Sequence, residues 1–557
     1  MRRWLWVVVV TACGPAGGKD DVDTDVTTDS GDSDVGDSGD SAPPDTDPPG
    51  RTGLAPVATA VTPDGLALVG QAVRVEVQVA DPDGDTPTVA WAVRGVGARL
   101  VELDATHVVV IPRGVGALEV EALPSDAEGP GTPAVVRLQV HDLDVGLDHG
   151  LGLKPDGTVL AWGDNTNGML GDGTHDARPA AGPVCAPGAT DCTGSPLTDQ
   201  AAVAAGLLHS LSLGRDGRVW AWGDNIAGQL GDGTLDERLT PVPVCDVGAS
   251  DCAADPLTGV VAVAAGAAFS LALRDDGTVL AWGANDDHQL GDGTTEVRRT
   301  PVEVCGPGPD VGPCTGALDG VVAIAAGRIF SLALREDGRV WSWGSNAAGQ
   351  LGRGVGELDE RAHPVLVCGV DEVVPCDMGL QDVLVVDAGS THTFAVRQDG
   401  LAFGWGRNGE GELATGHGET TCGILPACVT SPVVVCSTAI AACTDPFRDL
   451  AQVEAGLDFS VALRQDGTVW SFGANQESQL GDGTFNRRRA PVQVCGPDAA
   501  RPCTAFLDDV AGIAVGAYHT VALRQDGTVW GWGDNPFAVD PDQLPNTNPV
   551  PARLPGW

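Results

Sequence analysis

The feature that most constrains this chain is a unit recurring about every sixty residues through its last three-quarters. Aligned on an aromatic-glycine pair, the copies fall at Trp162, Trp222, Trp282, Trp343, Trp405, Phe472 and Trp532, in steps of 60, 60, 61, 62, 67 and 60 residues. A period of that length means supersecondary units that cannot bury an apolar face alone and must stack on their neighbours. The third copy reads as four short strands with no helical period, at 261–264, 271–273, 278–282 and 301–304. Asp276 and Gly277 supply the positive-φ turn that a hairpin between the middle two requires, and Pro301 suits a strand start or an outer edge. Four strands per copy, repeated in this way, predict blades around a central axis. The last copy ends on Asn548, Pro549 and Val550, matching the Pro-Val strand of the others, so the chain ends should meet and close the ring.

The copies also share a finer motif, which in the second reads Gly206, His209, Leu211, Leu213, Asp216-Gly217, Trp222-Gly223, Asn225 and Gly228-Gln229-Leu230-Gly231. This resembles the repeat of the regulator of chromosome condensation family. The resemblance implies an all-β fold in which residues 141–557 form a seven-bladed β-propeller. It departs from the family pattern at Gly411-Glu412-Leu413-Ala414 in copy five and at Asp534-Asn535-Pro536 in copy seven.

Several residues look chemical until the copies are compared. His149, His209, His392 and His519 share a slot that Phe269, Phe330 and Phe459 fill elsewhere, so it reads as a packing position. The Gly-Asp-Gly triplets beginning at Gly171, Gly231, Gly291 and Gly481 lack the several converging oxygens of a calcium site and read as tight turns. No Ser-His-Asp order, phosphate cradle or His-rich cluster stands out, and no catalytic residue is assigned.

Residues 55–140 differ in character. Val73, Val75, Val77 and Val79 alternate with polar residues at the period of a half-buried strand, and further strands are expected at 88–93, 107–111, 117–122 and 134–140. Residues 79–91 resemble the acidic-turn region of bacterial immunoglobulin-like and cadherin-like modules, which implies a small β-sandwich. In such relatives the acidic turn can take calcium, which makes Asp81, Asp83 and Asp85 candidate oxygen ligands; the competing reading is a plain Asp-Gly turn. Calcium is the one cofactor considered.

The first thirteen residues carry Arg2 and Arg3, an apolar run from Trp4 to Val10 and then Cys13, the pattern of an export signal and too short to span a bilayer. The small residues before Cys13 resemble a bacterial lipobox, implying lipidation of that cysteine; a free, buried Cys13 is the alternative. Residues 14–54, rich in Asp, Ser, Thr and Gly, cannot bury a core and read as a disordered acidic linker. The fourteen remaining cysteines form seven close pairs, Cys185/Cys192, Cys245/Cys252, Cys305/Cys314, Cys368/Cys376, Cys422/Cys428, Cys436/Cys443 and Cys495/Cys503, expected as local disulfides in an oxidising compartment. Six of them follow the Pro-Val strand and should share one face of the ring. The pair Cys422/Cys428, on the extra segment 416–432 of copy five, marks one sector.

A formal charge of -44 speaks against a nucleic-acid partner, because neutralising phosphates needs an excess of Lys and Arg. The expectation is an exported protein, lipid-anchored to the bacterial cell envelope at the outer membrane or cell surface. It would bind a protein or other extracellular ligand and would not act as an enzyme. The alternatives are a hydrolase or lyase site in the central channel, signalled by converging carboxylates with raised pKa values, and a guanine-nucleotide exchange activity like that of the family's founder.

Overall fold

The computed structural model describes residues 55–557 except 63, 82–85, 127–128, 309–313, 355–356, 371, 373–374, 416–419, 423–424, 439–442, 498–501 and 535–546. Cys13, the linker 14–54, Asp83 and Asp85 lie outside the described residues, as does the side chain of Cys422.

Every regular element described is a strand. Copies two, three, four, six and seven each fold as one four-stranded antiparallel sheet, its strands following one another in chain order from the axis outward; copy five adds a fifth strand outside its outer one, and the sheet of copy one continues into the N-terminal strands. In copy two the order is Gln200–Ala205, His209–Gly214, Val219–Gly223 and Arg238–Pro243. Leu211 lies opposite Ala221 and Leu213 opposite Val219 across the central pair. All six residues of His209–Gly214 are buried, as expected of a strand covered on both faces.

What covers those faces is the neighbouring blade. Leu211, Leu213, Val219, Leu230 and Val244 of copy two share one cluster with Ala272, Leu280 and Trp282 of copy three. The same arrangement joins copy one to Trp222, copy three to Trp343, copy four to Trp405, copy five to Phe472 and copy six to Trp532. The indole N–H of each of these tryptophans donates to a carbonyl of the blade before: Trp222 to Met169 at 2.7 Å and Trp282 to Gln229 at 2.9 Å. Copy seven lacks the Gly-Gln-Leu-Gly loop, and Trp162 finds no acceptor among the described residues.

The closing contact is made differently. Copy seven packs its Val521, Leu523 and Val529 on Leu143, Val145 and Trp162 of copy one, and the C-terminal tail then crosses between them. Pro555 accepts a hydrogen bond from the Ala181 N–H, and Trp557 meets Trp162 edge to face at 6.3 Å. A side chain at Gly152 would collide with the Trp557 ring; the equivalent residues elsewhere are Ser212, Ala272, Ala333, Ala395, Ala462 and Ala522.

The N-terminal residues form two sheets packed face to face. Val57–Ala60, Val73–Ala80, His107–Pro112 and Ala98–Glu102 make one, and Thr88–Gly95, Gly116–Ser125 and Ala134–Val145 build the other, with Gly65–Leu68 alongside in parallel. Val75, Val108 and Val110 meet Leu118, Val136 and Leu138 in the core between them. The strand Ala134–Val145 runs through both units: residues 134–140 pair with Gly116–Ser125, and Asp142 to Val145 pair with His149–Leu153 as the inner strand of the first blade. The domain boundary expected at 140/141 therefore falls inside one continuous strand.

Candidate functional site

In each blade, successive connections alternate between the two ends of the ring because every strand pair is antiparallel. The Asp-Gly hairpins and the outer-to-next-inner connections lie at one end. The loops after Gly206 and after Asn225, with their counterparts, lie at the other.

The N-terminal sheets sit on the hairpin end. Gln525 brackets Leu66, its Oε1 accepting from the backbone N–H at 2.7 Å and its Nε2 donating to the carbonyl. Arg215 donates to the Val115 carbonyl at 3.1 Å, Gln465 to the Ala72 carbonyl at 3.2 Å, and Arg74 to the Gln398 carbonyl at 3.4 Å. Four of the hairpins thus hold the cap at the residue just before Asp-Gly. Apolar contact adds Ala72, Val109 and Ile111 against Leu384, and Leu68 against Ala511 and Ala514. Gly512 is the inner-strand position beneath Leu68, where any side chain would run into the leucine.

The central channel, about 370 Å³, is lined by the inner strands of every blade and floored at the capped end by Leu68, Val69, Ile111 and Pro112. Its walls are mostly Ala and Val; the inner strands add Asp142, Asp144, Asp387, Gln452 and Glu454, Arg99 and Arg113 stand at the capped end, and Arg328 and Ser390 at the open mouth. Three of the carboxylates have structural work. Asp142 accepts the Val203 N–H at 2.8 Å, Asp144 that of Ala205 at 2.8 Å and Asp387 that of Ala455 at 2.7 Å, so each satisfies the free edge of the next inner strand. Gln452 does the same for Ile513 and also donates to Glu454 at 2.8 Å. Burial raises the carboxyl of Asp144 to about 6 and holds Asp142, Asp387 and Glu454 above the usual range, the last pushed further by the charge of Asp387.

His149, His209, His392 and His519 are buried, and desolvation lowers them to about 4, 3, 3 and 4. Three reach a serine of the next blade, His149 to Ser210 at 3.1 Å, His209 to Ser270 at 3.0 Å and His392 to Ser460 at 2.9 Å. The distances resemble nucleophile–base pairs, but the polarity is wrong. Each serine hydroxyl donates to a carbonyl, of Met169, Gln229 and Glu412 respectively, so the imidazole must donate and cannot take the serine proton. These are couplings between blades.

Among the described residues six cysteine pairs are bridged, Cys185–Cys192, Cys245–Cys252, Cys305–Cys314, Cys368–Cys376, Cys436–Cys443 and Cys495–Cys503, all at the hairpin end around the cap, and Cys428 is disulfide-bonded as well. Copy five's extra segment lies at the opposite end from these staples. Its strand Leu425–Val434 pairs with Ala402–Arg407, Cys428 facing Arg407, and Thr420–Cys422 adds a fifth strand. The reason is topological: this segment joins the third strand to the outer one, whereas the staples join an outer strand to the next blade. Asp81 is half-buried, and among the described residues no group of His, Cys, Asp and Glu side chains is set to hold a metal.

The fold and its faces therefore define a β-propeller scaffold with one end of its channel capped by the chain's own N-terminal sheets. Comparison with known proteins places it more narrowly. The RCC1-like domain matches residues 116–381, and the regulator of chromosome condensation (RCC1) repeat matches 466–523 and, in a second form, 383–412, 450–479 and 510–537. The chain belongs to the RCC1-like repeat family. It is 26% identical over 396 residues to the ultraviolet-B receptor UVR8 of Arabidopsis thaliana, a match covering 70% of this chain and 76% of that protein. It is 31% identical over 347 residues to the probable E3 ubiquitin-protein ligase HERC6 of Homo sapiens, covering 62% of this chain but only 29% of that one. Prp20p of Saccharomyces cerevisiae shares the fold with a TM-score of 0.52 at 24% identity, over 74% of this chain and 87% of that.

Proposed function

We propose that the chain is a membrane-tethered, extracytoplasmic binding protein that uses the propeller as an interaction platform. The observation that carries this reading is the asymmetry of the ring: one end is occupied by the chain's own sheets, while the other presents loops on a rigid frame, the usual setting for recognition. The six bridges support an oxidising compartment. In this reading Cys13 carries the lipid, residues 14–54 are the tether and residues 55–140 form an immunoglobulin-like sandwich. Residues 141–557 then close as seven blades, and calcium, if bound, sits at Asp81, Asp83 and Asp85. The partner is a protein or other extracellular ligand and not nucleic acid. Cross-linking of the intact chain on cells, followed by mass spectrometry, tests the platform; no reproducible partner above a mock sample would reject it. Cys13→Ser tests the anchor, since an unchanged detergent-requiring fraction would exclude lipidation.

One observation favours a second reading, an enzyme in the channel. Asp387 and Glu454 are carboxyls raised by burial beside an open cavity, Glu454 pushed further by the charge of Asp387, a setting that suits a general acid and base. Turnover of glycoside or ester substrates that disappears in Glu454→Gln, with folding intact, would establish it.

A further inference from the structure

The end of the ring opposite the cap carries two unlike sectors side by side. Over blades one to three it exposes large apolar side chains among the acidic residues of the same loops, Asp224, Asp236, Glu237, Asp286 and Glu296. Leu147, Leu207 and Leu208 stand half-buried around the channel mouth, and beyond them Ile226 is 78% exposed, with Leu235 and Val297 also exposed. Blades one and two are tied together there by the Leu147 N–H donating to the Leu207 carbonyl. Isolated exposed leucines are ordinary, but a group of this kind on one face is the composition of a contact surface.

Over blades six, seven and one the rim is acidic. Asp148 interacts with Asp534 and Asp164, and Asp534 in turn with Glu477, each pair repelling. Among the described residues none of these four has a cationic partner within ion-pair distance. That differs from the aspartates deeper in the same loops: Asp232, Asp292 and Asp482 are each matched by Arg238, Arg298 and Arg488 at 2.6–2.7 Å. Arg328, on the corresponding loop of blade four, stands at the far side of the mouth from Asp148, Asp164, Glu477 and Asp534.

From this juxtaposition we infer that the uncapped mouth docks a cationic segment of a partner protein, one that alternates apolar anchors with Lys or Arg. The anchors seat on Leu207, Leu208 and Ile226, and the cations face Asp148, Asp164, Glu477 and Asp534. Charge chooses the occupant. A second copy of a chain carrying -44, a nucleic acid or an anionic lipid surface would each meet like charge, while a basic segment gains attraction on approach and relieves the repulsion within the rim. At the opposite end the N-terminal sheets occupy the centre, and the exposed apolar side chains there, Val247, Val370, Met378 and Phe506, are scattered over the stapled loops of separate blades.

This deepens the platform reading and rests on it. The test uses the full chain and three dye-labelled twelve-residue peptides: alternating Lys and Leu, alternating Lys and Ser, and alternating Glu and Leu. The Lys/Leu peptide should bind, more weakly as salt rises, and both others should bind at least tenfold less tightly. Asp148→Asn with Asp534→Asn should weaken binding by roughly three- to tenfold, and Ile226→Glu with Leu207→Glu should abolish it. Asp275→Asn with Glu336→Gln, at the hairpin end, should change nothing. Thermal melts check that each variant is folded, and Ile226→Glu alone, on a largely solvated side chain, serves if the double variant is not. Absence of Lys/Leu binding, equal binding of the Lys/Ser peptide, or equal losses in the hairpin-end control would overturn the assignment. A partner captured on cells and retained by the mouth variants would sink this inference while leaving the platform reading intact.

Discussion

His209→Phe isolates what the buried histidines contribute. The slot accepts the larger ring, since Phe269, Phe330 and Phe459 occupy it, fully buried, in three other blades. Ser270 keeps its hydrogen bond to the Gln229 carbonyl, so the substitution strands little. Burial, with the neighbouring charge of His149, pushes His209 down to about 3, below the roughly 6.5 of an unfolded chain. The native state therefore binds fewer protons than the unfolded one. The contribution of His209 to stability is complete above pH 6.5 and is lost as the pH falls from there toward 3. By pH 5 the loss amounts to about 2 kcal/mol for this one side chain. Phenylalanine has no such term. Urea unfolding of parent and variant at pH 7.5 and pH 5.0 gives a difference of differences in which the channel carboxylates and the other three histidines cancel. The parent should lose about 2 kcal/mol more than the variant on acidification. Identical pH dependence would show that His209 is hydrated or already protonated in the folded protein, and the desolvation argument would fall.

Four other outcomes follow from the structure. Asp144→Asn should remove a loss on the alkaline side: its folded pKa of about 6 lies above the unfolded value, so stability is complete below about pH 4 and falls by about 3 kcal/mol as the pH rises past 6, measured by the same unfolding series. Trp557→Ala should cost about 2 kcal/mol through the lost edge-to-face contact and packing at the closing blades, read as faster hydrogen exchange in copies one and seven, and removal of 546–557 should destabilise the ring cooperatively. Gly512→Leu should expel Leu68 and loosen the cap, seen as new protease cleavage between 55 and 140 while the blades stay resistant. Non-reduced peptide mapping should recover the six described bridges, and opening any one should lower stability by roughly 2 kcal/mol.

The blades were legible in the sequence because each is stabilised by its neighbours through the same few residues. A Trp that must fill the same gap against the preceding blade recurs at a constant step, and a slot shared by His and Phe declares itself as packing. The strand at 73–79 was legible from alternation, and those at 88–93 and 107–111 from short runs set off by Gly, Pro and Asp clusters; the structure extends each by one or two residues. The short strands Val57–Ala60, Gly65–Leu68 and Ala98–Glu102 were missed, having too few residues to show a period. The seat of the cap was missed for another reason: it depends on Arg215, Gln465 and Gln525, which vary between copies, meeting backbone groups a hundred or more residues away, and on Arg74 reaching the Gln398 carbonyl. A faint signal existed. Gly152 and Gly512 are two places where a repeat drops a side chain that most other copies keep, and both gaps are filled by residues from outside the repeat, Trp557 and Leu68. The channel carboxylates were also invisible in linear order, since Asp144, Asp387 and Glu454 come together only when the ring closes.

A ring of near-equivalent sectors has no first member, and nothing in its symmetry tells one wedge from the next. The strand Ala134–Val145 supplies an index mark. Because it is pleated without interruption from one unit into the other, it locks the cap's angular position to a single wedge of the wheel. Adding one residue near His141 would invert every side chain beyond it, turning Leu143 and Val145 toward the wrong neighbours, while adding two would restore the facing but slide the lid along its seat. Transplanting this lid onto another propeller is therefore a problem of phase before it is one of affinity, and only even-numbered changes in that strand leave the dial readable.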